Sequence, residues 1–79
     1  MKRTVFHLTW NKTYRSWDLR SKGKLVDTNE HKMNAVAKAV GKCRLLWKDR
    51  KRAQLIVHKK SGVIEYERTY GRDPRRSKG

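Results

Sequence analysis

A single stretch of helical rhythm lies between stretches that alternate every second residue, and few folds accommodate that order. In residues 3–10, RTVFHLTW, the residues Phe6, Leu8 and Trp10 fall on one side of an extended chain. Val5, His7 and Thr9 fall on the other. SWDLRS alternates again and sets Trp17 beside Leu19, after the polar NKTYR in which Asn11 favours a turn. These two stretches predict a β-hairpin. KGK follows, centred on Gly23, and leads into a short extended LVD.

Helix signals begin at DTNEH. Asp27, Thr28 and Asn29 are good N-caps, and Glu30 suits a first turn. Met33, Val36, Ala37, Val40, Cys43 and Trp47 then recur at three- and four-residue steps, which predicts one apolar stripe on a helix of about five turns. Gly41 weakens its middle by roughly 1 kcal/mol relative to alanine and is expected to let the helix approach a sheet closely. Lys48, Arg50, Lys51 and Arg52 suit its C-terminal end, where the helix dipole favours cations. QLIVH and VIEYERTY, separated by KKSG, predict a second hairpin with Ile64, Tyr66 and Tyr70 on one side and Glu65, Glu67 and Thr69 on the other. The expected fold is α+β, of ββαββ type: two β-hairpins form an antiparallel sheet with one long amphipathic helix on one face.

A chain of 79 residues fits one domain with a thin core, which leaves little room for a deep enzyme pocket. Residues 1–74 are expected to form that compact domain and residues 75–79 a short flexible basic tail. Gly71 permits a conformation other residues resist, and Pro74 biases Asp73 toward an extended shape, so YGRDP reads as a terminating turn. Truncation after Pro74 is expected to leave the fold intact and weaken binding. Cys43 is the only cysteine, so no internal disulfide can form, which suits a reducing cytoplasm. No apolar run has the length of a signal peptide or a membrane span, so the expectation is a cytoplasmic protein without a membrane partner.

The second half also carries a resemblance. QLIVHKKSGVIEYERTYGRDPRRSKG resembles the C-terminal signature LIVHxxxGxIxxERTYGxDP of a family of small bacterial and phage proteins of unknown function. VFHLTWNKTYRSWDLR and HKMNAVAKAV match that family's opening hairpin and helix, so the likeness covers nearly the whole chain. HKK stands where the family has an HGR type, Trp10 where it has proline, and CRLLWKDRKRA lengthens and charges the helix end. The resemblance implies two hairpins around one helix, and a phage or mobile-element setting in the cytoplasm of a bacterial host. It implies no activity.

Charge is the clearest functional signal. Net charge is +15 on 79 residues, and an anionic partner would relieve the self-repulsion. The stretch 42–60 carries Lys42, Arg44, Lys48, Arg50, Lys51, Arg52, Lys59 and Lys60 against Asp49 alone. KDRKR at 48–52 is read as a phosphate-contact segment rather than a solvated helix end. The helix end and the Lys59–Lys60 turn need not be neighbours. At the N-terminal hairpin Trp10, Tyr14 and Arg15 interleave aromatics with cations, a composition that stacks on unpaired bases, and a two-stranded ribbon also fits a DNA major groove. Trp17, alternating with Leu19, is assigned to the core. Arg72, Arg75, Arg76 and Lys78 complete the candidate set.

His7, His31, His58 and Cys43 show no paired ligand spacing, so no metal site is expected. His58 facing Glu65 or Glu67 could do acid–base work only in a pocket this chain scarcely has room for. No phosphate-binding glycine loop or nucleophile elbow is present, so neither a catalytic residue nor a cofactor is expected. The reading is a non-enzymatic nucleic-acid-binding protein, for DNA or RNA, driven by phosphate contacts with weak sequence preference. The alternative is an inhibitor or adaptor whose basic surface docks on an acidic site of a host protein. Either is compatible with a monomer or an edge-strand dimer.

Overall fold

The computed structural model describes residues 3–71. The expectations for Arg72, Arg75, Arg76, Lys78, the part of YGRDP beyond Gly71 and the tail boundary lie outside those residues. The described chain is α+β. It runs β1 (Arg3–Asn11), β2 (Ser16–Ser21), β3 (Lys24–Asn29), α1 (Lys32–Lys48), β4 (Arg52–His58) and β5 (Ile64–Tyr70). The five strands form one sheet in the order β3-β2-β1-β4-β5.

This corrects the ββαββ expectation in two ways, and one cause underlies both. LVD is no mere extension of a turn: Lys24–Asn29 forms a full third strand, antiparallel to β2. An odd number of strands before the helix reverses the end of the sheet at which the helix starts. The helix therefore returns the chain to the end where β1 began, and β4 runs parallel to β1, pairing Arg3 with Arg52 through to Leu8 with Val57. The sheet is mixed, with its parallel pair at the centre and antiparallel pairs outside. Asp27, Thr28 and Asn29 are consumed by β3, so α1 opens at His31, which makes no side-chain cap.

The helix covers one face. Phe6, Leu8, Trp17, Leu19, Ala53, Leu55 and Val57 form that face with Ala35, Ala39 and Cys43 of α1 against them. Complete burial of each Leu or Val contributes roughly 1.5–3 kcal/mol. The helix is rotated from the expected stripe. Ala35, Ala39 and Cys43 face the sheet, Val36 and Val40 flank them, Ala37 is exposed, and Met33 is 85% exposed. The sheet already supplies bulky Phe6, Trp17 and leucines, so the closest approach goes to the helix line with the smallest side chains. Gly41 has no part in that approach: it faces outward, and an added Cβ would meet nothing within 4 Å. In β5 an irregularity opposite Val57 and His58 changes the side to which residues point. Tyr66 and Tyr70 pack on the core as expected, whereas Ile64 pairs with His58 and is half-exposed.

The open face is tied by polar chains. The Arg3 guanidinium donates to Gln54 Oε1 (2.8 Å), and Gln54 Nε2 donates to Glu67 Oε1 (2.8 Å). Asp18 is buried there. Its Oδ1 accepts from Ser16 Oγ (2.9 Å) and Thr28 Oγ1 (2.9 Å), and its Oδ2 from Asn11 Nδ2 (3.0 Å). Burial raises the Asp18 pKa, but those three hydrogen bonds and the charge of Arg20 outweigh it and leave the carboxyl below its ordinary value. The network clamps β1, β2 and β3 together at one level.

Candidate nucleic-acid interface

Strand polarity sorts the candidate residues into two groups. Call the lower end of the sheet the one where β1 and β4 start; the β2–β3 turn and the end of α1 lie there too. The upper end holds the β1–β2 turn, the start of α1 and the β4–β5 turn. Lys48, Arg50, Lys51 and Arg52 fall at the lower end. Trp10, Tyr14, Arg15, Lys59 and Lys60 fall at the upper end, one strand length away, about 20 Å. The two groups are thus separate, as the helix end and the Lys59–Lys60 turn were free to be.

At the upper end charges and aromatics satisfy one another. Lys60 Nζ lies 4.4 Å from the centroid of the Trp10 ring, and Trp10 packs on Trp17 at 5.2 Å between centroids. Trp10 is therefore partly buried against the core rather than an open stacking platform. Tyr14 is the exposed aromatic there, at 78%. Lys32 forms an ion pair with Glu65 and sits over Trp17. Asn11 Oδ1 accepts from the backbone N–H of Thr13 (3.0 Å) and Tyr14 (3.2 Å), which fixes the turn. A concavity of about 480 Å³ opens beside it, walled by Tyr14, Arg20, Leu25 and Glu30 with Asp18 on its lining. His58 does not meet Glu65 or Glu67. Its Nδ1–H donates to the Gly62 carbonyl (2.9 Å), and its Nε2 lies 3.1 Å from His7 Nδ1. Among the described residues no three His, Cys, Asp or Glu side chains converge on a metal position.

The lower end is different. Lys22, Lys24, Arg3, Arg52, Lys51, Arg50 and Lys48 follow one another across the β2–β3 turn, the starts of β1 and β4 and the end of α1. Arg3 and Arg52 are direct register partners, an arrangement of like charges that opposes pairing. Asp49 meets Lys51 at 3.6 Å with both side chains largely exposed, so it neutralises little.

Local backbone chemistry builds this rim. The Lys51 N–H bonds the Leu46 carbonyl (2.8 Å) and the Arg50 N–H bonds the Trp47 carbonyl (2.9 Å). These are the two bonds of a Schellman cap, whose turning residue is left-handed and usually glycine. Here it is Arg50, at φ 62°. The three non-glycine residues with positive φ in the described chain are Arg15, Lys22 and Arg50. Each occupies a position where glycine or asparagine would sit with less strain, and each presents a cation at a turn.

Trp47, like Met33 and Ala37, departs from the expected stripe, and it is the one that bears on the rim. Expected in the core, it lies 53% exposed at the last turn of α1, leaning on Tyr70 with ring centroids 6.4 Å apart. With Arg50, Lys51, Arg52 and Gly71 it lines a niche of about 280 Å³. Gly71, at φ 91°, closes one wall: a Cβ there would come within 3.1 Å of Arg52 Cα. The available signal was in WKDRKR, an aromatic directly abutting the densest basic run. Among known proteins, no family model, no curated protein and no solved structure matches the chain.

Proposed function

We propose that the protein binds nucleic acid through the basic rim at the lower end of its sheet, mainly by phosphate contacts and with weak sequence preference. The observation that carries this reading is Arg50 in a left-handed cap, where a cation is kept at a position suited to glycine. It sits among cations opposed by Asp49, on a chain of net charge +15. Phosphates would neutralise Arg3 and Arg52, which are register partners on adjacent strands. The upper group, with Tyr14, Arg15 and Lys59, extends the contact along a longer ligand. Residue types at the C-terminus resemble those of small bacterial and phage proteins, which favours a phage or mobile-element setting in a bacterial cytoplasm. No helix of the described chain is long and apolar enough to cross a membrane.

The test is titration against duplex and single-stranded DNA and RNA at rising salt. Kd should weaken steeply as salt rises. A Kd weaker than millimolar at low salt, or one indifferent to salt, defeats the reading.

A second reading, docking on a host protein, draws support from the outward face of α1, where Met33 and Leu45 stand exposed among Lys38, Arg44 and Lys48. A stoichiometric protein partner retained after nuclease treatment would favour it.

A further inference from the structure

We propose that the niche at the end of α1 takes one nucleotide of a single strand, the base stacked on Trp47 and the adjoining phosphates held by Arg50, Lys51 and Arg52. This rests on the nucleic-acid reading above and narrows it to unpaired DNA or RNA.

Three observations lead there. Trp47 is large, apolar and half-open at the surface, and its contact on the protein side is an inclined one with Tyr70, at 59° between ring planes. Trp10 offers no such platform, since Lys60 and Trp17 cover it. The surroundings of Trp47 are cationic and stiff. The Schellman bonds fix the backbone of Arg50 and Lys51, Arg52 is held in β4, and Gly71 lies so close to Arg52 that no larger residue fits without displacement. The niche is also small. At about 280 Å³ it lies just under the size of clefts that enclose a free ligand, so it suits one ring of a longer chain.

An apolar ring beside fixed cations matches the two surfaces an unpaired nucleotide offers, a π-face and a phosphate. A duplex hides its base faces and offers the phosphates alone. Trp47 would then be idle on a duplex and engaged on a single strand. Stacking is blind to base identity, in keeping with weak sequence preference.

The experiment compares wild type, Trp47→Ala, Trp47→Leu and Trp47→Phe on an oligothymidylate, an oligouridylate and a DNA duplex of matched length. Thermal melts accompany each variant. Trp47→Ala and Trp47→Leu should weaken both single strands about 5- to 150-fold, the range of one lost base stack. Trp47→Phe should recover most of that affinity. Duplex binding should stay within about twofold, and the salt slope should not change, because no charge is removed. Trp47→Leu and Trp47→Phe keep an apolar side chain against Tyr70, so the comparison stands if the alanine variant fails to fold. A loss shared equally by duplex and single strands, or no loss at all, overturns the stacking site and leaves the phosphate reading in place. If the wild type binds none of the three, both fall together.

Discussion

Replacing Arg50 with glycine should make the protein more stable and a poorer binder at once. The backbone of Arg50 is left-handed at φ 62°, with both Schellman bonds formed. A side chain in that region costs about 1–2 kcal/mol. Glycine removes this but brings about 0.5–1 kcal/mol of additional chain entropy lost on folding. The difference is about 0–1.5 kcal/mol in favour of glycine, or a rise in Tm of up to about 12 °C for a domain of this size. Removing a cation from a chain of net charge +15 would itself relieve repulsion. Arg50→Gln controls for that, since it loses the charge and keeps the strain. The assay is a thermal melt of the three proteins, with binding measured over a salt series. Glycine should melt above glutamine, and both should lower the salt slope by about 0.7–0.9, one phosphate contact. If glycine melts no higher than glutamine, the strain argument fails. If the slope is unchanged, Arg50 is not kept for a phosphate.

Asp18→Ala should cost roughly 2–4 kcal/mol, because Asn11, Ser16 and Thr28 lose a shared charged acceptor, measurable by urea denaturation. The Asp18 pKa is lower in the fold, so its contribution is present above the ordinary value of 3.8 and lost as pH falls through the folded value. Asp18→Asn should therefore flatten the acid limb of the stability curve. Burial pushes the Cys43 thiol up to about 11 from 9.0, so below pH 9.0 its preference for the fold is intact, and it is lost as pH rises through about 11. That loss should amount to roughly 2–3 kcal/mol, be absent in Cys43→Ala, and leave Cys43 inert to thiol reagents in the folded protein at neutral pH. The two testable glycines should respond oppositely. Gly71→Ala, forced against Arg52 at positive φ, should destabilise by about 1–3 kcal/mol, and Gly41→Ala, on an open helix face, should stabilise by up to about 1 kcal/mol in thermal melts.

Much of the fold was legible where burial imposes a rhythm. Phe6, Leu8, Trp17 and Leu19 alternate because one face of β1 and β2 is covered, and Leu55 and Val57 behave likewise. β3 was obscure because it is an edge strand with Leu25 and Val26 exposed, and its Asp27-Thr28-Asn29 carries strong capping preferences that pairing with β2 overrides. Losing that strand also lost the direction of β4. The helix was legible, its rotation was not: Met33–Ala37 and Ala35–Ala39–Cys43 are both four-residue series on one helix. Which faces inward depends on how bulky the opposing sheet is. The basic segment at 48–52 was visible from charge. That Lys22, Lys24 and Arg3 join it follows from strand polarity, and Trp47 escapes the core because its turn of α1 packs on Tyr70 near the end of β5.

The most direct measurement compares salt-dependent nucleic-acid affinity after removing three charges at each end of the sheet. Arg50→Gln, Lys51→Gln and Arg52→Gln together should reduce the slope of log Kd against log salt by about two to three. Arg15→Gln, Lys59→Gln and Lys60→Gln together should reduce it by less than half as much. Equal effects from the two ends would place the binding charge across the whole surface, and a larger effect from the upper end would contradict the lower rim as the interface.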